Sequence, residues 1–342
     1  MAVFRRRRGR PAEPVRATGY DLETVSELIL GVAEAATGSR PSLVGEPEPL
    51  LAGAGPDAFS FTLDTEAPGW TGLLVARTSA KDVLRRETEW LQAAGALGFP
   101  VPHLVSDSPD DGVLVFTPPV GENLVSLMTT ELMALPELLA NFGRLHARLH
   151  ALPADGLASL DGDDPIDELS DRATASSVRK AVDRELGWLR SQRPDGAASV
   201  LCHGELHPVH VYVERGDAPS EVAVNWTHAR LAEPAFDVAA TLAAFWTAPI
   251  YVANVAQRAM LKMARDSISS AYMKAYGEAA SQPLDEAALR YWEAFHLCWL
   301  AIHIVDLAQG EPAGPWDPAA NVAQPDKALQ DVRNRFWELT GT

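Results

Sequence analysis

The chemistry of this chain is concentrated in one loop and its immediate sequel. Residues 203–210 read His203-Gly204-Glu205-Leu206-His207-Pro208-Val209-His210, then come Asn225-Trp226 and Glu233-Pro234-Ala235-Phe236-Asp237. Apolar residues 211–213 and 222–224 flank Gly216-Asp217-Ala218-Pro219, a turn sequence, so a β-hairpin is predicted there. That hairpin carries His210 at its entry and Asn225 at its exit, which sets both beside one site. His203, His207 and His210 suggest a metal cluster, but no fourth ligand of the kind a zinc site needs is indicated.

Size and composition bound what can surround this loop. With 342 residues, 47% of them hydrophobic, the chain can bury a full core as one large domain or two lobes. No run of eighteen apolar residues occurs, so no membrane span is expected. The start, MAVFRRRRGR, lacks the apolar stretch of a secretory signal. Only Cys202 and Cys298 are present, which argues against a disulfide framework and fits a cytoplasmic location. Cys202, in an apolar strand end, reads as a buried structural thiol. The net charge of −17 disfavours nucleic acid as a partner. Residues 1–19 are the exception, Arg- and Pro-rich, and read as a disordered basic tail; a contact to an acidic partner or membrane surface is the sharper alternative.

Periodicity predicts a helix capped by Asp21 and ended at Gly38, then two short strands within 50–63 around residues 52–57. A strand follows over Gly72–Thr78, a helix from near Asp82 to Gly95 or Gly98, and a strand pair ending at Gly112–Phe116. Beyond Leu124 the pattern is mainly helical, near 131–152, 166–192, 234–247, 251–280 and 284–309.

The loop motifs resemble those of the aminoglycoside phosphotransferase and choline kinase group. Its members commonly read His-Gly-Asp-Leu-His-Pro-x-Asn, then Asp-Trp-Glu, then Asp-Pro-x-x-Asp-Leu-Ala, where this chain has HGELHPVH, NWT and EPAFDVA. With the upstream Leu-His-Ala-Leu-Pro helix end, the resemblance covers roughly residues 40 to 310. It implies an α+β, bilobal protein-kinase-like fold. A small β-rich N-lobe with one long helix would span 20–120, and a larger, mainly helical C-lobe 121–342.

The resemblance also assigns roles, and several residues depart from them. Glu205 stands for the catalytic Asp that accepts the substrate proton; its stem is one methylene longer, and a displacement of roughly an ångström can cost about 10²-fold in rate. His210 stands for the metal-binding Asn, although Mg²⁺ prefers oxygen ligands; Mn²⁺ or Zn²⁺ would tolerate imidazole better. Asn225 replaces the Asp whose full charge holds Mg²⁺ between the β- and γ-phosphates. An amide offers only a neutral dipole.

The implied nucleotide site is altered too. Matching Gly121 to the linker glycine puts Phe116 at the gatekeeper, Thr117 at the adenine-binding carbonyl and Pro119 at the adenine-binding N–H. Proline has no N–H to donate. Arg77 matches the phosphate-binding Lys or Arg, and Glu87 the helix acid that pairs with it; an ordinary interlobe salt bridge is the other reading. Gly53 and Gly55 are candidates for the phosphate-covering turn. His203, His207, Pro208, Trp226, Pro234 and Asp237 match as they stand, with Asp237 expected to fix the loop through hydrogen bonds from backbone or His203.

Three functions follow. The first is a pseudokinase, without cofactor, that binds a small molecule, peptide or protein. The second is an atypical phosphotransferase using ATP or another nucleoside triphosphate with Mg or Mn, with Glu205 as base and a hydroxyl as acceptor. The third is nucleotide transfer with the nucleotide in an altered pose. Trp188, Trp246, Tyr251, Trp292, Trp299 and His303 are candidates for a cleft lining but read first as core.

Overall fold

The computed structural model describes residues 21–50, 58–160, 162, 164–175, 178–194, 199–215, 220–251, 255–309 and 325–341. The basic tail and the turn holding Gly53 and Gly55 lie outside these residues, so neither expectation is tested by the structure.

The N-terminal part is a twisted antiparallel sheet with two helices. Helix α1 (Leu22–Thr37) starts where the Asp21 carboxylate accepts from Thr24 N at 2.9 Å and ends at Gly38 with φ 77°. Strands β1 (Ser42–Leu43), β2 (Glu48–Pro49), β3 (Ala58–Asp64) and β4 (Leu73–Thr78) precede helix α2 (Lys81–Ala96). Strands β5 (Leu104–Ser108) and β6 (Val113–Phe116) complete the sheet. The order is β1-β3-β4-β6-β5, with β2 also paired to β3. Central β4 pairs with β3 and β6, which aligns Arg77 with Ala58 on one side and Leu114 on the other. Val25, Ile29, Phe59, Phe61, Leu74 and Val115 form the core under α1. Alongside the one long helix expected here, α2, this region thus carries α1 as a second of equal length, 16 residues.

The remainder is mainly helical. A short strand β7 (Glu122–Asn123) leads into α3 (Leu124–Thr130) and α4 (Leu135–His150). The helix expected near 166–192 is divided into α5 (Pro165–Ala175) and α6 (Asp183–Ser191), with a 3₁₀ turn at Arg179–Ala181 between them. Strands β8 (Val200–Cys202), β9 (Val211–Glu214), β10 (Ser220–Ala223) and β11 (Arg230–Ala232) form two small sheets around the loop of interest. Helices α7 (Pro234–Thr247), α8 (Val255–Ala279), α9 (Glu286–Gln309) and α10 (Pro325–Thr340) follow. Helix α10, which the periodicity reading missed, buries Ala328, Val332 and Phe336 in the same core as α9.

The predicted hairpin forms as β9–β10, with β7 as its third strand. Gly121 makes that addition possible: at φ 94° a Cβ would lie 2.2 Å from Val213 O, so no side chain fits. No described helix is long and apolar enough to cross a membrane. Cys202 and Cys298 are both buried and unbridged, and burial raises both thiol pKa values.

Candidate functional site

The loop of residues 203–210 hangs between β8 and β9 and is held from below by Asp237 on the first turn of α7. His203 N donates to Asp237 Oδ2 at 2.7 Å and Gly204 N to Oδ1 at 2.9 Å. This is the loop-fixing role expected of Asp237. Gly204 itself has φ 85°, and a Cβ there would lie 2.1 Å from His228 O. The backbone therefore turns tightly against the 227–229 segment, where only glycine fits. Thr241 Oγ1 donates to Leu206 O at 2.7 Å and adds a third support from α7.

Two histidines of α4 join the brace, which motif spacing had not revealed. His146 Nε2 and His150 Nε2 lie 3.2 and 3.3 Å from Asp237 Oδ2. Their Nδ1 atoms meet the hydroxyls of Tyr272 and Tyr276 on α8 at 2.6 and 2.8 Å. Burial alone would raise the Asp237 pKa, but the charges and hydrogen bonds of His146 and His150 hold it well below the usual range. Among the described residues, His146, His150 and Asp237 are the group whose ligand atoms converge as a metal site requires, rather than the loop histidines. Each of these imidazoles already has a hydroxyl on one nitrogen and the carboxylate at the other. Both carboxylate oxygens also accept backbone N–H groups, so the cluster closes on itself as a hydrogen-bonded support.

The loop histidines form a neutral stack. The His207 and His210 rings lie 5.6 Å apart at 12°, and His203 and His210 6.0 Å apart at 26°. Burial pushes His203 down to about 4 and His210 to about 3, and lowers His207 well below its ordinary value. The hydrogen bonds set the tautomers. His203 Nε2 donates to Val224 O at 3.0 Å, and His210 Nδ1 to Glu205 O at 2.8 Å. His210 Nε2 then accepts from Asn225 Nδ2 at 3.1 Å.

Asn225 sits at the exit of the hairpin in the left-handed region, φ 67°, which asparagine tolerates better than most residues. Its Oδ1 accepts from Arg77 Nη1 at 2.9 Å and from Thr227 Oγ1 at 2.8 Å. The donors on one side and the imidazole acceptor on the other fix which way the amide faces.

Arg77 is the centre of this arrangement. Its Nε lies 2.8 Å from Glu87 Oε2, and Nη1 donates to Glu87 Oε1 at 3.1 Å. Nη2 donates to Thr227 Oγ1 at 2.8 Å. Of the five N–H groups of a guanidinium, three thus donate to Glu87, Asn225 and Thr227. The Arg77 and Glu87 side chains are 1% and 2% exposed. Glu87 Oε1 also accepts from Trp226 N at 3.2 Å, tying α2 to the hairpin exit. The Arg77–Glu87 pair is present, and the same guanidinium also donates to Asn225 and Thr227.

These residues do not fit a divalent cation. Oδ1 of Asn225 is engaged by two donors, Nε2 of His210 accepts from the amide, and an arginine already supplies positive charge there. A cation beside that guanidinium would meet like-charge repulsion, and the adjacent carboxylate, Glu87, is already paired with Arg77. The Glu205 carboxylate is 23% exposed and lies 3.9 Å from His228 Nε2. Thr117 N donates to His103 O at 3.0 Å, which joins the linker to the residue before β5, and Pro119 follows without an N–H.

His228 was not singled out by sequence; its only signal is proximity to the Asn225-Trp226 pair. Its Nε2–Glu205 contact and its edge-to-face packing on Trp299, 5.5 Å between centroids, put it between the loop and α9. Burial and the charges of Arg230, Arg172, Arg77 and Arg86 push its pKa down to about 3. With 39% of the side chain exposed, the four arginines are the firmer cause. Of the aromatic candidates, Trp292 is buried in the α6–α9 core and Trp299 packs against it, with His228 and the buried His303 on the Trp299 ring.

Comparison with known proteins places the chain. The profile of the phosphotransferase enzyme family matches residues 48–265, more than half of its length. No curated protein matches. The structure is similar to that of a putative aminoglycoside phosphotransferase from Ralstonia eutropha, at 18% identity and TM-score 0.63, covering 92% of this chain and 98% of that one. A choline/ethanolamine kinase family protein from Mesorhizobium loti aligns at 16% identity and TM-score 0.57, over 94% of each chain. An amicoumacin kinase in complex with AMP-PNP, Ca²⁺ and Ami aligns at 16% identity and TM-score 0.52, again over 94% of each. At such identities the structures establish the protein-kinase-like fold, and the sequence profile establishes the lineage. The chain belongs to the phosphotransferase enzyme family.

Proposed function

We propose that this protein is a pseudokinase: a member of a phosphotransferase family that keeps the fold and binds a ligand or partner without transferring phosphate. One observation carries the reading. Arg77 donates to Asn225 and Thr227, so the phosphate-clamp residue and the metal-loop residue satisfy one another. In an active site of this type the arginine would face phosphate oxygens and the loop would present an anion to Mg²⁺. Here the guanidinium takes the place of the ion. Pro119 removes an adenine hydrogen bond, and Glu205 and His210 alter the remaining catalytic positions.

The supports of the loop remain complete around this altered centre, from Asp237 through His203 and Gly204. Retention of the braces alongside loss of the ion-holding groups fits a protein used for its shape. Calorimetric titration of the full chain with Mg-ATP is the direct test. The proposal expects no saturable heat up to about 1 mM, the limit of about −4 kcal/mol in binding free energy. Micromolar binding, or phosphate transfer to any hydroxyl acceptor, would return the protein to the atypical phosphotransferases.

A further inference from the structure

A cavity of about 280 Å³ opens between the first turn of α6 and one face of α10. That volume is near the lower end of the range for small-molecule sites, roughly 300–1,000 Å³, and suits a ligand of one or two rings. Gln330, Arg333, Asn334 and Trp337 recur every three or four residues, which puts them on one face of α10. Arg184 and Glu185 of α6 supply the opposite wall. Phe336 also lines the cavity; it is 3% exposed and meets Trp188 edge-on at 5.7 Å, so the core fixes it in place. None of these residues belongs to the loop of residues 203–210 or to its braces.

The polar groups here are mostly donors. Arg333 is anchored: its Nη2 donates to Ala181 O at 2.6 Å and its Nε lies 3.7 Å from Glu185 Oε1, so the lining carboxylate already has a partner. Gln330 Nε2 donates to Asn334 Oδ1 at 2.8 Å, which leaves the Asn334 amide hydrogens to donate elsewhere. Neighbouring acids of the same two helices are paired as well, Asp183 with Arg179 at 3.0 Å, Asp331 with Lys262 at 3.5 Å and Glu338 with Arg335 at 3.3 Å. Among the described residues, Arg184 has no carboxylate within ion-pair distance. On a chain of net charge −17, that guanidinium at the wall of a cavity is a place for one anionic group. Guanidinium forks match planar carboxylates with paired, charge-assisted hydrogen bonds. Trp337, 59% exposed, offers its indole face to an aromatic ring beside them.

We propose that the α6–α10 cavity binds a planar aromatic carboxylate, with the ring on Trp337 and the carboxylate on Arg184 and Asn334. This site goes beyond the pseudokinase reading and uses none of the same residues. It is tested without nucleotide, so either can fail alone.

Isothermal titration of the full chain with indole-3-acetate, tryptamine and acetate separates the ring from the charge. Indole-3-acetate is expected to bind with a Kd near or below about 1 mM. Tryptamine, with the same ring and the opposite charge, and acetate, with the same charge and no ring, should give no saturable heat at about ten times that concentration. Arg184 and Trp337 are both exposed, so their replacement should leave the melting temperature unchanged. Arg184→Ala and Trp337→Ala are each expected to weaken indole-3-acetate binding at least five-fold, and Arg184→Lys to weaken it less than Arg184→Ala. Absence of indole-3-acetate binding would overturn the proposal. So would tryptamine or acetate binding as tightly as indole-3-acetate, or either folded alanine variant binding it as the parent does.

Discussion

Arg77 and Asn225, 148 residues apart in sequence, meet through a 2.9 Å hydrogen bond that joins the C-terminal end of central strand β4 to the exit of the β9–β10 hairpin. That bond ties the sheet to the segment that follows the β9–β10 hairpin. The adjoining Arg77–Glu87 pair is buried and shielded from solvent screening, so the arrangement is held by charge as well as by geometry.

Restoring the family's metal ligands should not restore activity on its own. In Asn225→Asp/His210→Asn the new carboxylate lies against Arg77 and forms an ion pair, since their side chains already touch. Mg-ATP binding of the double variant should stay undetectable in a thermal-shift titration. A rise in melting temperature with Mg-ATP but not with ATP alone would show that the arginine yields to the metal.

Removal of Arg77 should cost stability rather than a dispensable clamp. Arg77→Met leaves the Glu87 carboxylate buried and unpaired, with an expected loss of about 3–5 kcal/mol in urea denaturation. Arg77→Met/Glu87→Leu removes both charges and should recover most of that loss. A single variant as stable as the parent would mean that Glu87 finds another partner.

Gly204→Ala should fold poorly. The added methyl would lie 2.1 Å from His228 O, and the backbone is at φ 85°. Movement of one of the two segments is unavoidable, and a destabilisation of at least about 2–3 kcal/mol is expected. Circular dichroism melts of the variant beside Gly187→Ala, at a position with open space, separate this collision from a general effect of alanine.

Acid should unfold the protein earlier than its carboxylates alone require. Burial lowers His150, His203 and His296 to about 4 and His210 to about 3, below the value of about 6.5 in the unfolded chain. The unfolded state therefore binds more protons between those limits. The stability these groups contribute is present above about pH 6.5 and is lost as pH falls toward 4 and 3. Urea midpoints should be flat from about pH 7 to 8 and fall steadily below about pH 6.5; a midpoint constant to pH 5 would mean that these imidazoles are solvated.

Local signals accounted for much of the fold. The Asp21 cap and the Gly38 stop bound α1, turn residues between valine-rich runs produced the β9–β10 pair, and glycine at 121 and 204 marks two close backbone approaches. The break between α5 and α6 was not legible, because apolar spacing carries across it and the 3₁₀ turn at Arg179–Ala181 depends on how Val178 and Val182 pack. The altered identities at 205, 210, 225 and 119 could be read directly, since a residue type alone decides whether an anion or an N–H exists.

What those groups do instead was settled only in three dimensions. Sequence placed Arg77 beside Glu87, but it did not show that the same guanidinium also reaches Asn225 and Thr227. Nor did it show that His146 and His150 brace Asp237, or that Arg172 and His228 meet on the Trp299 ring. The physical reason is one of range. Helix caps, strand alternation and turn chemistry act over a few residues. The direction of a long side chain's donors is set by whichever acceptors distant elements bring within about 3 Å.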